Sequence, residues 1–358
     1  MVPLDVIIDP KFLLKLHYSI ESGEVKDSVL HDFHYNWVQM NNRKSIRYFT
    51  CLDNIDETGR KVIDLIFRRL NKGGEILFTL DQMLWSVEGV YKNSEKLSPF
   101  RLHFTCLDKK LSQQLENKYG YKFLTIDDLT KSWGQLMAFQ GYKSWSVKND
   151  DAHLRSWEKS TFGIPPKIHS LLIHDFYLFE VVNNRLNEKK LYENLFEILR
   201  NFKHRLASQA PVEIMLVTAK NKNFDQKMEA EIHKRVDCEL LRLLGKDGFK
   251  LTIIFMEKNC QQTDRAHDRF LITNNSYIES GAGFNLFYNK TPKHNTIIRH
   301  AYVFQSEKEM RNVNYRLDAI KDQLDMASTT VYGSDWQLFR LLKEVGSFKS
   351  SKVEVRVG

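Results

Sequence analysis

The chain is short of the features that mark several protein classes. Cysteine is scarce: 4 in 358 residues, at Cys51, Cys106, Cys238 and Cys260, with no CxxC pair. That spacing argues against a zinc ribbon or finger and favours reduced thiols. No stretch approaches the ~20 consecutive apolar residues that a bilayer-spanning helix needs. The opening MVPLDVIIDPKFLLKLH is interrupted by Asp5, Asp9 and Lys11, so it lacks the apolar core of a secretory signal. With 7 prolines and 16 glycines, the chain reads as neither collagen-like nor disordered. The expectation is a soluble cytoplasmic protein.

What is present is ordinary globular composition, 42% hydrophobic and 27% charged, over a length that favours two domains. The formal net charge is +8. A basic surface attracts polyanions, nucleic acid first and acidic lipid next. The same charge also serves solubility alone.

Strand and helix patterns alternate along the chain, which predicts an α/β protein. In the first half, strands are expected at Val6 to Ile8, Ile76 to Leu80, Arg101 to Thr105 and Lys122 to Thr125. Helices are expected after Asp56 and from Lys109 to Lys118, the second closed by Gly120. FTCLD occurs at 49–53 and again at 104–108, and FTLD at 78–81. Parallel strands that end alike give such a repetition without any duplication. The turn-rich GIPPK at 163–167, preceded by a charged stretch, marks a boundary. The expected division is 1–150, an N-terminal parallel-sheet layer; 151–166, a linker; 167–306, a second α/β domain; and 307–358, a helical tail with a turn at Gly333.

In the second domain, strands are expected at Ser170 to Ile173, Glu213 to Thr218 and Leu251 to Met256. One helix is expected to carry Leu191 through Leu206, and another to run from about Gln226 to Leu244. Then comes HDRFLITNNSYIESGAGFN, 267–285. It reads as a strand, an Asn274-Asn275 turn and a second strand, Tyr277 to Ser280. His267 and Arg269, two apart on a strand, point to one face. A histidine there can attack phosphorus while the cation holds phosphate oxygens, and a glycine turn brings backbone amides close. Without that context, His267 and Arg269 read as a surface pair ion-bonded to Asp264 or Asp268.

This segment resembles the motif of the phospholipase D superfamily: His, one residue, Lys; four residues, Asp; six residues, Gly-Ser; two residues, Asn. His267 and Asn285 match it. Arg269 stands for the Lys, Asn274 for the Asp, and Gly281-Ala282 for the Gly-Ser. The preceding strand-helix order fits the same family over about 140 residues. The resemblance implies a phospholipase D-like domain in which His267, Arg269 and Asn285 are catalytic. Arg269, Asn274, Gly281, Gly283 and Asn285 would bind phosphate, with no cofactor. That reaction uses two motifs, and the chain has one, so an active enzyme would be a homodimer or part of a larger complex.

The N-terminal half loosely resembles PIN-like ribonuclease domains, or a generic Rossmann-like layer. By the PIN-like reading Asp9, Asp81 and Asp108 would hold Mg²⁺ or Mn²⁺ at the C-terminal ends of parallel strands. Acids at strand ends are also ordinary helix N-caps, as Asp56, Asp108 and Asp127 would then be. Trp133, Tyr142 and Trp145 lie among Lys131, Lys143 and Lys148, a pattern that suits either nucleic-acid stacking or a packed connector. Three functions stay open: a nuclease-like phosphodiesterase, by association one of microbial antiviral defence; a phosphate-binding module for nucleic acid, nucleotide or acidic lipid; and a scaffold.

Overall fold

The structure is a computed structural model. It describes residues 2, 4–23, 46–50, 55–70, 76–78, 97–131, 143–147, 157, 167–208, 211–220, 224–256, 269–303, 307–326 and 329–343. The protein is mixed α/β, as its alternating pattern predicts. The strands of the first half are β1 (Leu4–Ile8), β2 (Ile46–Thr50), β3 (Ile76–Phe78), β4 (Phe100–Thr105) and β5 (Lys122–Thr125). They form one parallel sheet in the order β3-β2-β1-β4-β5, the doubly wound order 3-2-1-4-5-6 without its last strand. Among the described residues of the similar segments, Phe49-Thr50, Phe78 and Phe104-Thr105 close β2, β3 and β4, three strands that run the same way.

Helices α1 (Pro10–Glu21), α2 (Glu57–Leu70) and α3 (Lys109–Tyr119) lie between β1 and β2, β2 and β3, and β4 and β5, and α4 (Ile126–Lys131) follows β5. Their ends follow local chemistry. Asp108 caps α3 by accepting from Leu111 N, and Gly120 closes it at φ 78°, a left-handed position that glycine adopts without a Cβ penalty. Pro10 opens α1, where its missing N–H costs nothing.

The second sheet has eight strands. β6 (Lys143–Val147) is followed by β7 (Ser170–His174), and the hairpin β8 (Val181–Val182) and β9 (Arg185–Leu186) stands apart. Helices α5 (Glu188–Glu193) and α6 (Leu195–Lys203) precede β10 (Val212–Ala219). α7 (Gln226–Leu244) leads to β11 (Phe249–Met256). Then follow β12 (Phe270–Thr273), β13 (Ser276–Ser280), a second small hairpin of β14 (Phe287–Tyr288) and β15 (Thr291–Pro292), and β16 (Thr296–Tyr302). Last come α8 (Glu307–Met326) and β17 (Thr329–Gly333). The sheet order is β17-β11-β10-β7-β12-β13-β16-β6. β7, β10 and β11 are parallel; the other pairings are antiparallel.

Three expectations are revised. The tail is not wholly helical: Thr329–Gly333 pairs antiparallel with β11, because β-branched Thr329, Thr330 and Val331 suit a pleated edge. The helix expected across Leu191 to Leu206 is two helices, α5 and α6, meeting at Asn194 (φ −122°, ψ −87°). β6, placed by the sequence before the linker, pairs with β16 in the second sheet.

Alternation along the central strands gives the second sheet two buried faces. Ile214 and Leu216 of β10 join Phe196, Ile232 and Phe284 in one cluster. Met215 and Val217 join the other, which also holds Val6, Phe12 and Phe104 of the first half and Met310, Val313, Leu317 and Ile320 of α8. The two sheets therefore share a core. Polar ties cross it as well: Val2 N donates to Asn314 Oδ1 at 2.7 Å, and Asn274 Nδ2 to Gly120 O at 2.7 Å.

Candidate functional site

β7 and β12 are antiparallel neighbours, with Phe270 opposite His174. One step beyond, where both strands end on the same edge, stand Arg269 and Asp175. Asp175 is 1% exposed and ties the edge together. Its carboxylate accepts from Tyr177 N at 2.9 Å and Phe284 N at 2.6 Å. Arg269 Nε lies 3.9 Å from Asp175 Oδ1. Burial pushes the Asp175 carboxyl above its ordinary range, and the two amides and the Arg269 guanidinium oppose that rise.

The Arg269 guanidinium is held from three sides and still partly open. It donates to Gly281 O at 3.2 Å, and its carbon sits 5.3 Å from the Tyr177 ring centroid, a cation–π distance. Its side chain is 22% exposed. The loop after β13 wraps around it. Gly283 has φ +83°, and a Cβ there would lie 2.5 Å from Asp175 Oδ2 and 2.8 Å from Arg269 Cδ. Only glycine fits, on both conformational and steric grounds. Ser280 Oγ donates to Gly283 O at 2.6 Å and fixes the turn. An open depression of about 590 Å³ adjoins Arg269, with Gly281, Asn295, Thr296, Ile297 and Arg299 among its lining residues.

The structure brings Arg269, Gly281, Gly283 and Asn285 to one edge. Asn285 is engaged rather than free: its Nδ2 donates to Tyr177 O at 3.1 Å, and its Oδ1 accepts from Asn194 Nδ2 at 3.3 Å. Asn274 is elsewhere. It follows the far end of β12, fully buried, accepting from His169 N at 3.0 Å and donating to Gly120 O. Its position makes it a tie between the two halves, away from the Arg269 edge. His267 and Asp81 lie outside the described residues, as do Trp133, Tyr142 and Lys148.

Asp9 and Asp108 follow neighbouring strands, β1 and β4, and both bind backbone amides. Asp9 accepts from Lys11 N at 2.9 Å and Cys106 N at 3.4 Å; Asp108 caps α3. Among the described residues no group of three or more His, Cys, Asp or Glu is arranged to hold a metal ion. Nor is any described helix long and apolar enough to cross a membrane.

Sequence reasoning missed Asp175, Tyr177 and Asn194. The segment HDFY at the end of β7 was visible as a strand end, but its pairing with β12 depends on long-range register. No protein-family model matches the chain, and no characterised protein is significantly similar to it.

Proposed function

We propose that the Arg269 edge binds a phosphodiester of nucleic acid and that the protein is a phosphodiesterase of the phospholipase D type. The observation that carries this reading is the Arg269 guanidinium, partly exposed at the mouth of a glycine turn and aimed by Tyr177, Asp175 and Gly281 O. Arginine presents a planar fork of donors that suits phosphate oxygens, and the net charge of +8 favours a polyanion. His267, two residues before Arg269, is the nucleophile. Its ring nitrogen forms a bond to phosphorus as the ester P–O bond breaks. In a homodimer, His267 of the partner subunit protonates the leaving oxygen, and water then hydrolyses the phosphohistidine.

One observation favours a second reading, a module that holds phosphate without cutting. The Asn285 amide is already engaged with Tyr177 O and Asn194. One experiment separates the two. Labelled single- and double-stranded DNA and RNA are incubated with the protein, in EDTA and in Mg²⁺ or Mn²⁺, beside His267→Ala and Arg269→Ala. Cleavage that survives EDTA and is lost in His267→Ala supports the enzyme. Binding without cleavage, weakened by Arg269→Ala and falling steeply with salt, supports the module. Cleavage that needs metal and ignores His267 moves the chemistry to the N-terminal carboxylates. Arg269→Ala without effect on binding or cutting refutes both readings of this edge.

A further inference from the structure

We propose that Tyr177 and Tyr288 are stacking stations for the bases of a single strand of nucleic acid, which runs from Arg269 onto the β14–β15 hairpin with Lys189 and Lys293 on its phosphates. The inference rests on the proposed function and specifies its ligand: the bases are unpaired and are held by their flat faces.

Each tyrosine is exposed, fixed in place and accompanied by cations. Tyr177 is 53% exposed, between buried Asp175 and Phe176 on one side and buried Leu178 and Phe179 on the other. Its backbone is pinned at both ends. The N–H donates to Asp175 Oδ1 at 2.9 Å, and the carbonyl accepts from Asn285 Nδ2 at 3.1 Å. The Arg269 guanidinium lies 5.3 Å from the ring centroid. Tyr288 ends β14 and is 38% exposed. The turn after it, Asn289-Lys290, has φ +54° and +58°, the type I′ geometry of a tight hairpin. Lys293 Nζ is 4.8 Å and Lys189 Nζ 5.6 Å from the Tyr288 centroid, and Lys189 also donates to Asn289 Oδ1.

The two stations are tied to each other. Asn285, which holds the Tyr177 carbonyl, accepts from Asn194 Nδ2 at 3.3 Å. Asn194 in turn brackets Phe287, accepting from its N–H and donating to its carbonyl, both at 2.8 Å. Tyr288 is the next residue. Two buried or half-buried asparagines therefore set the spacing of the two rings before any ligand arrives. Nor is the charge cancelled. No carboxylate among the described residues lies within ion-pair distance of Lys189 or Lys290. Glu180 is 3.9 Å from Lys293 but already pairs with Lys190 at 2.9 Å.

Cations interleaved with exposed aromatic rings suit a single strand. The cations follow the phosphates, and each ring stacks a base with little preference for which one. In a duplex the bases are already stacked and paired, so the rings would gain nothing.

The test uses the full-length protein and end-labelled strands in EDTA, in the cold, with strand length checked after each titration. The ligands are a dT dodecamer, an oligo-U dodecamer, an abasic deoxyribose-phosphate strand of the same length and a duplex of the same length. Affinities come from fluorescence anisotropy for wild type, Tyr177→Ala, Tyr177→Phe, Tyr288→Ala, Tyr288→Phe, Lys189→Ala and Arg269→Ala. Tyr18→Ala is the control, an exposed tyrosine of α1 at 55%. The expected result is that dT or oligo-U binds wild type at least about fivefold more tightly than the abasic strand and the duplex; the tighter of the two names the natural strand. Each Tyr→Ala variant lowers that affinity at least about fivefold, each Tyr→Phe variant keeps it, and neither alters binding of the abasic strand. Lys189→Ala weakens both strands and lowers the slope of log affinity against log salt by about 0.7. Tyr18→Ala changes nothing. Equal affinity of wild type for base-bearing and abasic strands overturns the stacking track, and that comparison depends on no variant. Losses in Tyr177→Ala and Tyr288→Ala that are as large on the abasic strand also overturn it, because they report a disturbed surface. Binding to phosphatidylserine vesicles that needs the same tyrosines, with none to any strand, overturns it in favour of a membrane surface. If Arg269→Ala weakens binding and the tyrosine variants do not, the track falls and the proposed function stands. If the tyrosine variants weaken binding and Arg269→Ala does not, the track stands and the phosphate role given to Arg269 falls.

Discussion

Replacing Gly283 with alanine tests the geometry of the edge most directly. The position has φ +83°, and holding an L-residue in the left-handed region costs about 1–2 kcal/mol. The new methyl would stand 2.5 Å from Asp175 Oδ2 and 2.8 Å from Arg269 Cδ, inside contact distance of both. Asp175 is pinned by Tyr177 N and Phe284 N, so relief displaces a buried carboxylate from at least one charged hydrogen bond. Such a bond is worth about 1.5–3 kcal/mol. The sum is roughly 3–5 kcal/mol, a large share of a typical domain's stability. Gly23→Ala is the matched control: φ is +77° there, with nothing within 4 Å of an added Cβ. It carries only the conformational part. Urea denaturation of the two variants gives both numbers, with midpoints converted at a common slope. Equal losses in the two would refute the claim that Asp175 and Arg269 close on this glycine.

Two further outcomes follow from buried polar groups. Asn194→Ala removes donors to Lys190 O and Phe287 O, both at 2.8 Å, and the acceptor for Phe287 N and Trp157 Nε1. It strands two buried N–H groups at about 1–3 kcal/mol each; a loss under 0.5 kcal/mol in urea denaturation would contradict this. Burial, reinforced by Arg101, lowers His103 to about 3, and burial, reinforced by Arg316, lowers His174 to about 4. The unfolded chain takes up these protons near pH 6.5 and the native state refuses them. Their contribution is therefore complete above pH 6.5 and is lost as pH falls toward 4, at about 1.4 kcal/mol per pH unit for each histidine. His103→Phe keeps the ring stacked on Phe123, now 4.4 Å away, and should flatten the stability–pH slope by one proton's worth between pH 6 and 4.5. An unchanged slope would refute it.

Local signals in the sequence set most element boundaries. Asp225 and Gly245 bracket α7, and Asp108 and Gly120 bracket α3, because caps act within one turn. The strand-turn-strand of β12 and β13 was equally legible from its apolar runs around Asn274-Asn275. What the sequence hid depends on partners far along the chain. The break at Asn194 is imposed by Trp157 and Phe287, neither of which sits at helical spacing from it. Thr329–Gly333 becomes a strand because the edge of β11 is open to it. For the candidate site, the glycines and Arg269 were readable. Asp175 was not, since it sits 94 positions before Arg269 and meets it only through the β7–β12 register.

Long-range contacts also account for the asparagine at 274, where the phospholipase D motif that this segment resembles has aspartate. Its amide does two opposite jobs: Oδ1 accepts from His169 N, and Nδ2 donates to Gly120 O, a carbonyl of the N-terminal half. An aspartate could do the first and not the second. Asn274→Asp keeps the shape and places a carboxylate oxygen against that carbonyl in a site with no exposure. The expected cost at neutral pH is roughly 3–5 kcal/mol. That cost raises the folded-state pKa of the new carboxyl by about 2–4 units above its unfolded value near 3.9. The penalty is full above the raised value and shrinks as pH falls through it, because the protonated acid regains a donor for Gly120 O. Taking the difference between variant and wild type at each pH cancels the histidine losses common to both. Urea denaturation at pH 7.5 and 4.5 should therefore show the gap narrowing by about 2 kcal/mol or more. A gap of the same size at both values would mean that Gly120 O does not need the amide donor, and that asparagine stands at 274 for some other reason.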